Sequence, residues 1–86
     1  MKLTNYFDDK EYTLEVESLP AYFKNIAHNI KVISEDKCLW ITNNQDVLTL
    51  RSPIYFLVGE DYKPSTPEEF NAAFESAINH INELNK

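Results

Sequence analysis

Glycine is almost missing: Gly59 is the only one among 86 residues. The chain therefore has no glycine-rich turn to bring backbone amides against phosphates, and neither a Walker nor a dinucleotide-binding fingerprint occurs. A single cysteine, Cys38, excludes an intrachain disulfide and a thiolate cluster for structural zinc, and it suits a reducing, cytoplasmic setting. Long apolar runs are lacking too. The longest is Ile54–Val58, and Met1 to Asp9 has neither the cationic region nor the apolar stretch of a signal peptide. The expectation is a chain that is neither exported nor embedded in a bilayer.

Cations are scarce as well. Eight Lys and Arg stand against 14 Asp and Glu, a formal charge of -6. No segment clusters the positive charge that counterion release from nucleic acid requires, and an acidic chain is repelled by anionic lipid. Direct nucleic-acid and membrane binding are thus not expected. A protein partner with a basic surface is.

What is present is enough to fold. Hydrophobic residues make up 43% and aromatics 13%, well away from the apolar-poor composition of disordered chains, and the length fits one domain, residues 1–86. Thr66-Pro67-Glu68-Glu69 supplies a capping hydroxyl, a proline at the first helical position and a capping-box glutamate. Phe70, Ala73, Phe74, Ala77, Ile78, Ile81 and Leu84 then recur at helical spacing, which predicts a helix from Pro67 to Leu84. The same spacing in Leu19, Tyr22, Phe23, Ile26, Ala27 and Ile30 predicts a second helix over Leu19 to Asn29. Tyr12, Leu14 and Val16 alternate with polar residues, as in a half-buried strand. Leu3 to Phe7 fits either a strand or a short helix.

Between the helices, Lys31–Ser34, Cys38–Thr42, Val47–Arg51 and Ile54–Val58 read as strands whose short connections force an antiparallel meander. The expected fold is α+β, a single two-layer domain with a meander of four or five strands and two helices in the order β-α-β-β-β-β-α. A four-residue turn Asn43–Asp46 pairs Thr42 with Val47, Ile41 with Leu48 and Leu39 with Leu50. Trp40, Val47, Ile54, Phe56 and Val58 then share the opposite face. Both faces of that sheet are substantially apolar.

Catalytic and metal-ligating patterns are absent from the sequence. Cys38 with His28 or His80 is the minimum for thiolate chemistry, but no spacing joins them, and a lone cysteine in a strand reads as a packing residue. Neither histidine has a partner at ligand spacing. Asp8-Asp9, Glu35-Asp36 and Glu60-Asp61 lack the alternating oxygens of a calcium loop and read as turn charges. Tyr6, Phe7, Tyr12, Tyr22, Tyr55 and Tyr62 lack the cationic groove that base-stacking aromatics use. No enzyme, cofactor or metal is expected.

In composition the chain, short, acidic, with nine asparagines and one glycine, is similar to small phage-encoded inhibitors of host enzymes. The resemblance implies a non-enzymatic module that occupies a basic, nucleic-acid-binding surface of a protein by charge mimicry. The carboxylates for this are Asp9, Glu11, Glu15 and Glu17, in one row if the strand extends back through Asp9, with Tyr6, Tyr12 and Tyr62 as less polar anchors and Trp40 and Phe56 as further partner-binding residues on the apolar sheet face. The same carboxylates also fit the polar outer face that any half-buried strand needs. The alternative is a homo-oligomeric, for instance homodimeric, structural or accessory subunit joined through its apolar sheet face.

Overall fold

The computed structural model describes residues 1–43, 45–50, 54, 57–58 and 61–85. Its class is α+β with antiparallel sheets. The strands are β1 (Lys2–Phe7), β2 (Lys10–Glu15), β3 (Ala21–Lys24), β4 (His28–Ser34), β5 (Lys37–Thr42), β6 (Val47–Leu50) and β7 (Lys63–Pro64), followed by the helix α1 (Pro67–Leu84). β1 and β2 form a hairpin. The other five form one sheet in the order β6-β5-β4-β3-β7.

Three layers result instead of two, because the sheet is apolar on both faces and each face needs a cover. Cross-strand pairing places Phe23, Ile30 and Trp40 on one face, with Val32 and Cys38 beside them. On this face Ile30, Val32, Cys38 and Trp40 are buried with Leu3 of the hairpin and with Ile54 and Leu57, while Tyr12, Leu14 and Tyr62 pack around them. The other face carries Tyr22, Leu39, Ile41 and Val47, on which α1 lies through Phe70, Ala73, Phe74 and Ala77. Phe70 sits between two rings, 5.8 Å from Tyr22 and 6.1 Å from Phe74.

α1 spans the residues its sequence signals mark. Thr66 is extended (φ -122°, ψ 158°), its hydroxyl accepts from the Glu69 N–H at 3.2 Å, and Pro67 follows at the start of the helix. The Glu69 carboxylate reaches back to the Thr66 backbone as a capping box requires, and it also accepts from Lys24 Nζ and from the Ser65 hydroxyl, each at 2.7 Å, which ties the helix start to β3. Of the expected helix stripe, Ile78 and Ile81 lie at its exposed margin and Leu84 is open to solvent.

Three expectations are corrected. Leu19–Asn29 is not a helix: after a cis Leu19–Pro20 peptide the chain runs as β3, turns, and returns as β4. Tyr22 and Phe23 serve opposite sheet faces as neighbours on a strand must. Asn25 breaks the run, its side chain accepting from the N–H groups of Ala27 and His28 at 2.8 Å. Such local side-chain bonds compete with helix formation. Ile26, the supposed stripe residue, sits at the turn 94% exposed.

Of the expected strand Ile54–Val58, the described residues Ile54, Leu57 and Val58 are helical, while Tyr55 and Phe56 lie outside the described residues. Ile54 and Leu57 are both buried in one cluster, which three-residue spacing permits on a helix but not on a strand. The β5–β6 register is displaced by one residue. Ile41 pairs with Val47 and Trp40 with Leu48, because the Thr42 N–H donates to Asp46 O and the Gln45 N–H to Thr42 O, with Gln45 left-handed at φ 65°. That is the three-residue connection with a bulge, in which the left-handed position usually holds glycine. Val47 consequently joins the helix side, not the Trp40 side.

Candidate functional site

The hairpin β1–β2 is the part of the molecule whose construction leaves most chemistry at the surface. Phe7 pairs with Lys10 across two residues, Asp8 and Asp9, both left-handed at φ 54° and 63°. This is the type I′ geometry whose twist suits two-residue hairpins, normally built from Asn-Gly, and aspartate is among the few other residues that tolerate it. The N-terminal ammonium donates to Val16 O at 2.8 Å and Val16 N–H returns a bond to Met1 O at 2.9 Å. Two further bonds hold the hairpin to the rest of the fold. Thr4 N–H donates to Glu35 Oε2 at 3.0 Å and Ile54 N–H donates to Asn5 Oδ1 at 3.4 Å.

Pairing of Leu3 with Leu14 and of Asn5 with Tyr12 defines the inner face of the hairpin. Lys2, Thr4, Tyr6, Glu11, Thr13 and Glu15 therefore point outward. Phe7 belongs to the inner face yet remains 46% exposed, and Tyr6 on the outer face is 68% exposed. The tip thus carries an accessible ring on each side. Asp8, Asp9 and Glu11 are exposed beside them. Lys10 is the one cation within the tip sequence, and its ammonium lies over the Tyr12 ring, 5.6 Å from the centroid.

The residues singled out in the sequence are distributed unevenly over this site. Glu11 and Glu15 share the outer face of β2, four residues and so roughly 13 Å apart. Asp9 lies in the turn and Glu17 on the bend after β2, so the expected row of four does not form, because β2 begins at Lys10. Tyr12 packs inward on the core, and Trp40 is only 8% exposed beneath the hairpin. Trp40 is accordingly a core residue and not a surface anchor. Phe56, like Tyr55, Arg51 and Glu60, lies outside the described residues. Tyr6, one of the expected anchors, and Phe7 are the exposed aromatics at the tip; treating Asp8-Asp9 as a two-residue turn is the signal that would place Phe7 there as well.

At the base of the hairpin the Glu15 carboxylate lies 3.8 Å from the N-terminal ammonium, and Lys2 is its cross-strand neighbour in the register. Two carboxylates elsewhere are held below their ordinary range. Glu69 is lowered by the hydrogen bond from Lys24 and then by that from Ser65, and Asp36 by the hydrogen bond from the Ser34 hydroxyl.

His28 opens β4 with its ring 4.4 Å from that of Trp40 and Nδ1 3.1 Å from the Tyr62 hydroxyl. Cys38 pairs with Val32 and His28 with Thr42, which sets thiol and imidazole roughly 13 Å apart along the strand. His80 is on α1, across the sheet from Cys38. Neither histidine is thus placed to serve the thiol as a base. Among the described residues no group of three or more His, Cys, Asp or Glu is arranged to hold a metal ion, and no helix is long and apolar enough to cross a membrane. The chain matches no protein-family model, no curated protein sequence and no solved structure at a significant level.

Proposed function

We propose that this protein is a binding module that meets a basic surface of a partner protein through the tip of its β1–β2 hairpin. The observation that carries the reading is the juxtaposition at one turn of two accessible rings, Tyr6 and Phe7, with three exposed carboxylates, Asp8, Asp9 and Glu11. Aromatic side chains anchor interfaces by burying large rigid area. Surrounding charge steers the encounter and selects partners of opposite sign. A net charge of -6 on a small chain works in the same direction over a longer range.

Mimicry of a phosphate row has less to rest on than the sequence implied, because only Glu11 and Glu15 stay in line. The partner surface favoured here is therefore a compact basic patch with an apolar recess, not a long nucleic-acid groove. The alternative of an oligomer joined through the sheet has less to support it, since the hairpin and α1 pack on its two faces within the chain. Exposed apolar side chains lie instead at the end of α1, at Ile78, Ile81 and Leu84.

The test is capture of partners on the immobilised protein with stepped-salt washes, run beside a triple variant Asp8→Asn, Asp9→Asn, Glu11→Gln. Asparagine keeps the left-handed turn while removing the charge. Basic proteins retained by the parent and released at lower salt from the variant are the expected outcome. An identical set of retained proteins with an identical salt profile would remove the tip from the interface.

A further inference from the structure

At the opposite end of the hairpin from the tip, where the chain leaves β2 and enters β3, a cleft of about 420 Å³ opens between the bend at Glu17 and strands β3 and β7. Pro20, Phe23 and Pro64 contribute apolar wall, and Glu15 and Glu17 stand among the lining residues, which among the described residues include no lysine, arginine or histidine. The two carboxylates differ. Glu15 already lies near the N-terminal ammonium, whereas Glu17 makes no ion pair among the described residues.

The cleft also borders unfinished sheet. β7 accompanies β3 only through Lys24↔Lys63 and Phe23↔Pro64, with one further bond from Ser65 N–H to Tyr22 O. Ala21, the first residue of β3, extends past the last β7 pair and lines the cleft. Ala21 turns its backbone groups to Val32 of β4, Tyr22 O already accepts from Ser65 and Pro20 has no N–H, so the cleft offers a partner side-chain contact more than ladder bonds.

We propose that this cleft receives the side chain of a lysine or arginine carried on an extended segment of a partner protein. The long aliphatic stem of either residue would lie against Pro20, Phe23 and Pro64, and its charged head would reach Glu17, with Glu15 adding attraction. Such side chains divide themselves in this way between apolar surface and water. The volume lies within the range of pockets that bury small ligands, and it is ample for one such side chain. The inference rests on the reading that the partner is basic, but it uses residues distinct from the hairpin tip.

The experiment is a titration of the isotopically labelled full chain, followed by amide chemical shifts, with acetyl-Ala-Arg-Ala-amide and with the same peptide carrying norleucine in place of arginine. The arginine peptide should bind on the order of millimolar and move the resonances of Glu17, Ala21, Tyr22 and Phe23. Glu17→Gln, a change at an exposed bend, should weaken it roughly twofold to fivefold. The Asp8→Asn, Asp9→Asn variant should bind it like the parent, so that a failure of the tip reading is seen separately. Equal shifts from the norleucine peptide, indifference to Glu17→Gln, or shifts confined to other residues would each overturn the assignment.

Discussion

The two faces of the five-stranded sheet are covered by different means. Beneath the hairpin, seven buried side chains among the described residues converge from four parts of the chain: Leu3, Ile30, Val32, Cys38, Trp40, Ile54 and Leu57. Beneath α1, among the described residues, Ile41, Phe70 and Ala77 are buried, with partly exposed side chains around them. The first cover depends on contacts distant in sequence. The second is one local element, with its own cap, resting on one ring. The hairpin side should therefore define whether the protein folds, and the helix side how firmly one layer adheres.

Phe70→Ala and Ile54→Ala set these two cores against each other. Truncation of the Phe70 ring should cost about 3–5 kcal/mol and that of Ile54 about 2–5 kcal/mol, either one a large share of the stability of a small domain. The distinguishing measurement is acrylamide quenching of Trp40, which lies in the hairpin-side core. In Phe70→Ala, helical circular dichroism should decline under mild denaturant while Trp40 stays shielded. In Ile54→Ala the two signals should change together. Coincident loss in both variants would show one cooperative core and end the distinction.

Removing the helix cap sharpens the same contrast at lower cost. Thr66→Ala abolishes the bond from Glu69 N–H and should reduce stability by about 1 kcal/mol. A thermal-melting shift as large as that of Phe70→Ala would mean that the cap, and not the ring, holds the layer. The smallest effect concerns pH. The Glu69 pKa is depressed in the folded state by its hydrogen bonds to Lys24 and Ser65. Its contribution is therefore present above the ordinary carboxylate value and is lost as pH falls through the lowered one. Glu69→Gln should narrow the loss of stability measured by denaturant unfolding from neutral to acidic pH. An unchanged acid dependence would show that the exposed pair does not hold the helix start to β3.

Legibility in the sequence followed how local each cause was. α1 could be read to its ends because Thr66, Pro67 and the apolar stripe all act within the helix itself. β2 showed through its alternation, and β5, β6 and the second half of β4 through apolar, strand-prone runs set between polar turns. The β3 region misled because Tyr22, Phe23, Ile26 and Ile30 imitate helical spacing. What decides there is the Asn25 side chain and the demand of two opposite cores for one aromatic each. Ile54–Val58 is a short apolar run, the kind in which period alone does not separate strand from helix. The slipped register hung on one left-handed residue, Gln45, where no glycine announced it. Of the candidate site, the acidic residues of β2 and the exposed Tyr6 could be read from the sequence, whereas burial of Trp40 could not, since it depends on what folds over it.

The pair of left-handed aspartates at the hairpin tip has an evolutionary consequence. A turn selected for fold alone would drift toward Asn-Gly, which adopts this backbone more readily. That exchange would be open to selection by two substitutions, and it would yield a sturdier hairpin with a discharged end. In lineages that keep both carboxylates, persistence of Asp8 and Asp9 would then mark selection acting on the surface against the preference of the backbone. In lineages released from that task, the turn should be among the first places to relax.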